Sequence, residues 1–119
     1  MQIEGLITVV ETPEFLAASR KLLDDDERTL LVSYVAAHPN AGDLMSGTGG
    51  LRKLRWAMQG RGKRGGARVI YFLHSERLPL FLLTAYAKNE RADLSAADRA
   101  AFKQMVKELA TTYRRRRES

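Results

Sequence analysis

The chain has 119 residues, 45% hydrophobic and 29% charged, a balance that suits one domain with one core and excludes wholesale disorder. Twenty Lys and Arg against 14 Asp and Glu give a formal charge of +6, which favours polyanionic partners, although four of these cations form the run Arg114 to Arg117 and leave the rest only mildly basic. The absence of cysteine excludes disulfides and thiolate zinc sites, and no segment approaches the ~20 apolar residues needed to span a bilayer.

Met1 to Val10 contains Glu4 and lacks a basic start, so it does not read as a signal peptide. Ile3 to Val10 is expected as a first strand, stopped by Glu11-Thr12-Pro13. Thr12 then has the character of an N-cap, with Pro13 at the first helical position and Glu14 in the first turn. The helix that follows carries Phe15, Leu16, Ala18, Leu22 and Leu23 on one side and breaks near Asp24-Asp25-Asp26. These aspartates start a second helix, where acidic residues meet the positive end of the dipole, rather than forming a metal site. Leu30, Leu31, Tyr34 and Val35 repeat at helical spacing until His38-Pro39 ends the pattern.

Asn40 to Gly50 reads as an ordered loop, after which the periodicity falls to two. In Leu51 to Met58, Leu51, Lys53, Arg55 and Ala57 share one face, while Arg52, Leu54, Trp56 and Met58 share the other, which suits a core. Gln59 to Gly66 is a glycine-rich basic turn. Ala67 to His74 and Leu80 to Tyr86 are strands joined by a short turn, completing an antiparallel meander of three. Ser95 and Asp98 have capping-box spacing, and Phe102, Met105, Val106, Leu109 and Tyr113 mark one face of a terminal helix. The expectation is one α+β domain over 1–119, in the order β-α-α-β-β-β-α, with an antiparallel-rich sheet against helices and a basic tail at 114–117.

Seven cations, Arg52, Lys53, Arg55, Arg61, Lys63, Arg64 and Arg68, fall between Leu51 and Arg68 without one carboxylate, which makes this hairpin a candidate phosphate site. Lys53 and Arg55 share a face, the paired strand can set Arg68 beside them, and the loop hangs Arg61, Lys63 and Arg64 at the rim. Edge protection alone would need only a charge or two. The glycines match neither a phosphate-binding loop of the Walker type nor a dinucleotide fingerprint, so no nucleotide cofactor is expected, and no metal ligands are assigned. His74 shares the face of Arg68 but lies at the far end of its strand.

The segments GTGGLRKLRW, GKRGGARVIYF and LLTAYAKNERADLS together resemble the HigB branch of the RelE/ParE toxin superfamily, with likeness from Phe15 to Leu109. The resemblance implies a RelE-like fold and a cytoplasmic toxin of a type II toxin-antitoxin pair. It further implies that the toxin cleaves messenger RNA in the A site of the 30S subunit on the ribosome, without a metal, and that a HigA-like helix-turn-helix antitoxin restrains it. Members of this kind activate a ribose 2′-hydroxyl against the adjacent phosphate.

Within that chemistry, Arg55, Arg64 and Arg68 suit phosphate binding and charge stabilisation, since arginine stays protonated and offers a rigid fork of donors. Lys53 and Lys88 are candidates for proton transfer, Tyr86 for a donor or stacking ring, and Glu90 for a base or an orienting carboxylate. Arg52, Arg61, Lys63 and Arg91 are assigned to RNA binding. Asn89 and Leu94 stand where RelE-branch ribonucleases often carry arginine and tyrosine, so the choice of base and acid stays open. The superfamily also includes ParE-like gyrase inhibitors, and a non-catalytic RNA- or ribosome-binding module would show the same charge pattern.

Overall fold

Two nearly continuous apolar runs, Ala67–Phe72 and Leu80–Ala87, form the middle of the sheet, because only strands covered on both faces can hide such sequences. The computed structural model describes residues 6–57, 66–75, 77–91 and 93–118. Its elements are β1 (Val9–Glu11), α1 (Pro13–Arg20), α2 (Asp25–Ala37), β2 (Asp43–Leu44), β3 (Leu51–Trp56), β4 (Ala67–Phe72), β5 (Leu80–Ala87) and α3 (Ala96–Glu118). The sheet runs β1-β5-β4-β3-β2, with β1 parallel to β5 and the other pairings antiparallel.

Helices cover both faces. Phe15 of α1, Leu22, Leu23, and Leu31 and Val35 of α2 pack on Leu54, Val69, Tyr71, Leu80 and Leu82. On the opposite face Phe102 and Val106 of α3, with Met105, Leu109 and Tyr113 beside them, cover Leu51, Ile70, Phe72, Phe81 and Leu83. Among the described residues, no helix is long and apolar enough to cross a membrane.

The caps follow the expected chemistry. Thr12 accepts the Phe15 N–H, and Asp24 exchanges hydrogen bonds with Glu27 in a full capping box, so the aspartate run starts α2. Asp98 N–H donates to Ser95 Oγ at 3.0 Å at the start of α3, and this helix runs on through the basic tail.

Four details depart from the sequence reading. The 40–50 loop contains the short edge strand β2, paired with β3 through Asp43 and Leu44. α1 stops at Arg20, and Leu22 and Leu23 are buried from the turn beyond it, their N–H groups both bonded to Ser19 O. In α2 only Leu31 and Val35 of the expected stripe are buried, while Leu30 and Tyr34 are exposed. Leu51, assigned to the outer face of its strand, is buried beneath the α3 side, so both faces of β3 contribute to a core.

The loop before β3 is held by side chains inside it. Thr48 is fully buried, donating to Met45 O at 2.6 Å and accepting the Leu51 N–H at 3.2 Å. Tyr71 reaches from β4 to the 39–42 turn, where its hydroxyl donates to Pro39 O at 2.7 Å and accepts the Gly42 N–H at 2.9 Å. A side chain at Gly42 would meet the Tyr71 ring at 2.8 Å. Tyr71→Phe should therefore lower unfolding free energy by about 1–3 kcal/mol in a denaturant titration, since it strands a buried donor and an acceptor.

Candidate functional site

A single register irregularity brings Tyr86 onto the basic face. Along β4 and β5, Ile70 stands opposite Thr84 but Tyr71 stands opposite Leu82, so Leu83 is an extra residue on β5. A bulge of this kind reverses the alternation of every residue beyond it. Phe81 and Leu83 before it and Tyr86 after it all lie on the α3 side, where a regular strand would have sent Tyr86 towards α1 and α2.

The result is a row across three strands, with Arg55 opposite Arg68 and Arg68 opposite Tyr86. Lys53 lies one step further along β3 on the same face, opposite Ile70. Two guanidinium groups directly across a strand pair repel one another. Arg55 is exposed and makes no ion pair among the described residues, whereas Arg68 is 8% exposed, and its Nη1 donates to Ala67 O.

Tyr86 closes the row. It is 5% exposed, and its hydroxyl lies towards the Asp93 carboxylate without closing a well-formed hydrogen bond among the described residues. Burial, reinforced by the nearby charge of Asp93, raises the phenol above its ordinary pKa against the opposing effect of Arg68 and Arg91, so Tyr86 keeps its proton at neutral pH. The Arg91 guanidinium sits over the ring, 5.1 Å from its centroid, and is tied to Asp98 at 2.9 Å.

Asp93, in the connection from β5 to α3, meets Lys53 Nζ at 3.1 Å and Arg99 at 3.8 Å. The Leu94 N–H donates to the same carboxylate at 2.8 Å. That backbone bond first, and Lys53 after it, hold its carboxyl below the usual carboxylate range. The hairpin is therefore free of acid in sequence but not in space, because the chain returns 40 residues later to neutralise Lys53.

Lys53, Arg55, Arg68, Tyr86 and Arg91 are thus brought together. Lys88 and Glu90 are exposed on the turn after β5, where the Lys88 N–H donates to Gly66 O and carries the β4-β5 register one step beyond Ala67 and Ala87. Gly66 is required at this hairpin mouth, since its φ is +61° and a Cβ would lie 2.4 Å from Trp56 O. Arg61, Lys63 and Arg64 lie outside the described residues.

Arg52 stands apart from this row. Its neighbours along β3, Lys53 and Leu51, face α3, so it points to the other side, where Nη1 donates to Gly42 O at 2.7 Å and Asn40 O at 3.3 Å. His74 is exposed at the opposite end of β4, against Phe72. Asp93 and Arg99 escaped the sequence reading, which looked to Glu90 for the nearby carboxylate. Loop residues carry no periodicity, and the proximity of Asp93 to Lys53 is purely tertiary.

The family model described as the RelE toxin of the RelE/RelB toxin-antitoxin system matches residues 12–117. Among solved structures, an arginine-to-alanine double mutant of the E. coli toxin RelE in the free state superposes with a TM-score of 0.52 at 18% identity. The match covers 73% of this chain and 88% of that one, which shows a shared fold.

Because the Tyr86 hydroxyl is buried without a well-formed hydrogen bond, removing it relieves an unsatisfied group. Tyr86→Phe should leave the thermal midpoint unchanged or slightly raised, and a clear drop in a calorimetric scan would contradict the assignment of that hydroxyl as unpaired.

Proposed function

Since the chain belongs to the RelE toxin family of toxin-antitoxin systems, whose toxins are generally endoribonucleases, we propose that it is a ribosome-dependent messenger endoribonuclease acting through the row Arg55, Arg68 and Tyr86. The observation that carries this reading is a protonated phenol buried in line with two facing guanidinium groups. Such an arrangement is costly for stability and suited to a phosphodiester in transit.

In the proposed reaction the bond from O2′ to phosphorus forms while that from phosphorus to O5′ breaks, giving a 2′,3′-cyclic phosphate and a 5′-hydroxyl. Arg55 and Arg68 hold the non-bridging oxygens and balance their developing charge. Tyr86 donates the proton that O5′ requires. Lys53, paired with Asp93 at 3.1 Å, adds charge beside the row. The exposed turn with Lys88 and Glu90 supplies the candidate acceptors for the 2′-hydroxyl proton, and no metal takes part. Arg61, Lys63 and Arg64, which lie between β3 and β4 in sequence, are assigned to RNA binding by their charge alone, and Arg91 covers the Tyr86 ring until RNA enters.

This activity places the protein in the cytoplasm on the 30S A site. Its restraint falls to a cognate antitoxin, which the HigB likeness suggests is a HigA-like helix-turn-helix protein. In a purified translation reaction the wild-type protein should cut messenger RNA only when ribosomes are present and leave 5′-hydroxyl ends. Arg68→Gln and Tyr86→Phe should each slow cleavage by about a hundredfold or more, the usual scale for losing a charge stabiliser or a proton donor. Intact messenger with the wild-type protein, or full activity in Tyr86→Phe, would contradict the proposal.

A further inference from the structure

We infer that Asp93 occupies the seat of a nucleic-acid phosphate between Lys53 and Arg99, and that single-stranded RNA binds by displacing it. This rests on the nuclease reading above and adds to it a subsite, a residue that Arg99 shares with Lys53, and an internal competitor.

The Asp93 carboxylate is surrounded as a bound phosphate would be, with the Lys53 ammonium at 3.1 Å, the Arg99 guanidinium at 3.8 Å and the Leu94 N–H at 2.8 Å. Lys53 and Arg55 are two residues apart on one face of β3, about 6.5–7 Å along the strand. A chain whose phosphate lies between Arg55 and Arg68 therefore has its neighbouring phosphate within reach of Lys53. That seat is filled by a carboxylate from the chain itself.

The occupant is built to leave. Both side chains of the Lys53–Asp93 pair are partly open to solvent, at 29% and 44%, so the pair is weak and salt-sensitive. Asp93 comes from the connection between β5 and α3 rather than from the sheet, so its withdrawal leaves the strand register intact. The same connection carries Arg91, which lies over the Tyr86 ring and is held separately by Asp98.

Asp43 provides an internal control. It is exposed and stands directly across from Lys53 on β2, so it carries the same charge close to the same lysine, but it forms no ion pair there among the described residues. The test measures binding of a labelled single-stranded deoxyoligonucleotide, which lacks the attacking 2′-hydroxyl and cannot be cut, at low salt. Asp93→Asn should tighten binding about two- to fivefold, the range an exposed ion pair allows. Asp43→Asn should change it less, and adding Arg99→Gln to Asp93→Asn should reverse the gain.

In the wild-type protein, hydrogen exchange at the Leu94 amide should speed up when the oligonucleotide binds, a readout that needs no variant to fold. Equal effects of Asp93→Asn and Asp43→Asn, or a Leu94 amide that becomes more protected, would overturn the displacement while leaving the nuclease reading intact. If neither the wild-type protein nor Asp93→Asn binds the oligonucleotide, the displacement falls, while the nuclease reading is decided by cleavage in the translation reaction.

Discussion

The place of Tyr86 on the basic face depends on one extra residue in a buried strand. Leu83 breaks the alternation of β5 so that Phe81 and Leu83 pack under α3 and Tyr86 still emerges on the same side. Bulges cost regular pairing. This one is held because the flanking residues are buried on both faces, with Leu82 and Ala85 under α1 and α2, and Phe81 and Leu83 under α3. Restoring the regular register would bury Tyr86 among α1 and α2 contacts and leave Arg68 without its aromatic neighbour.

Coverage by helices then determines where chemistry can occur. α3 seals the face over Ile70, Phe72 and Phe81, while the row at Arg55, Arg68 and Tyr86 lies at the end where β5 passes into the connection that leads to α3. Cations crowd there: Arg55 and Arg68 face each other, Lys53 adjoins them and Arg91 lies over Tyr86. Repulsion among them is offset at one point by Asp93 and at another by Asp98, both on the same stretch of chain. A mobile polyanion would add to that compensation.

Most of the architecture could be read from sequence because it rests on local signals. Thr12-Pro13, the aspartates at 24–26 and His38-Pro39 delimited the first two helices through capping and proline chemistry, and the two-residue period from Leu51 put Lys53 and Arg55 on one face. The meander followed, and with it the position of Arg68 beside Arg55. The bulge could not be found this way, since Leu80–Ala87 is apolar almost throughout and has no alternation to interrupt. Tyr86 was therefore selected for its chemistry and the likeness it shares, not for its face. Charge alone did not show that the Arg52 guanidinium bonds the carbonyls of the 40–42 turn. Asp93 was hidden as a short acidic side chain in a loop whose partner, Lys53, is distant in sequence.

The central claim is that RNA meets the α3-side face at its open end, and it is tested most directly by mapping side-chain chemical shifts as an uncleavable oligonucleotide is titrated in. The account predicts that the largest changes fall on Arg55, Arg68, Tyr86 and Arg91, which share that face and its cover. Changes centred instead on Tyr34, His38 and Trp56, the aromatic cluster on the opposite face, would contradict it.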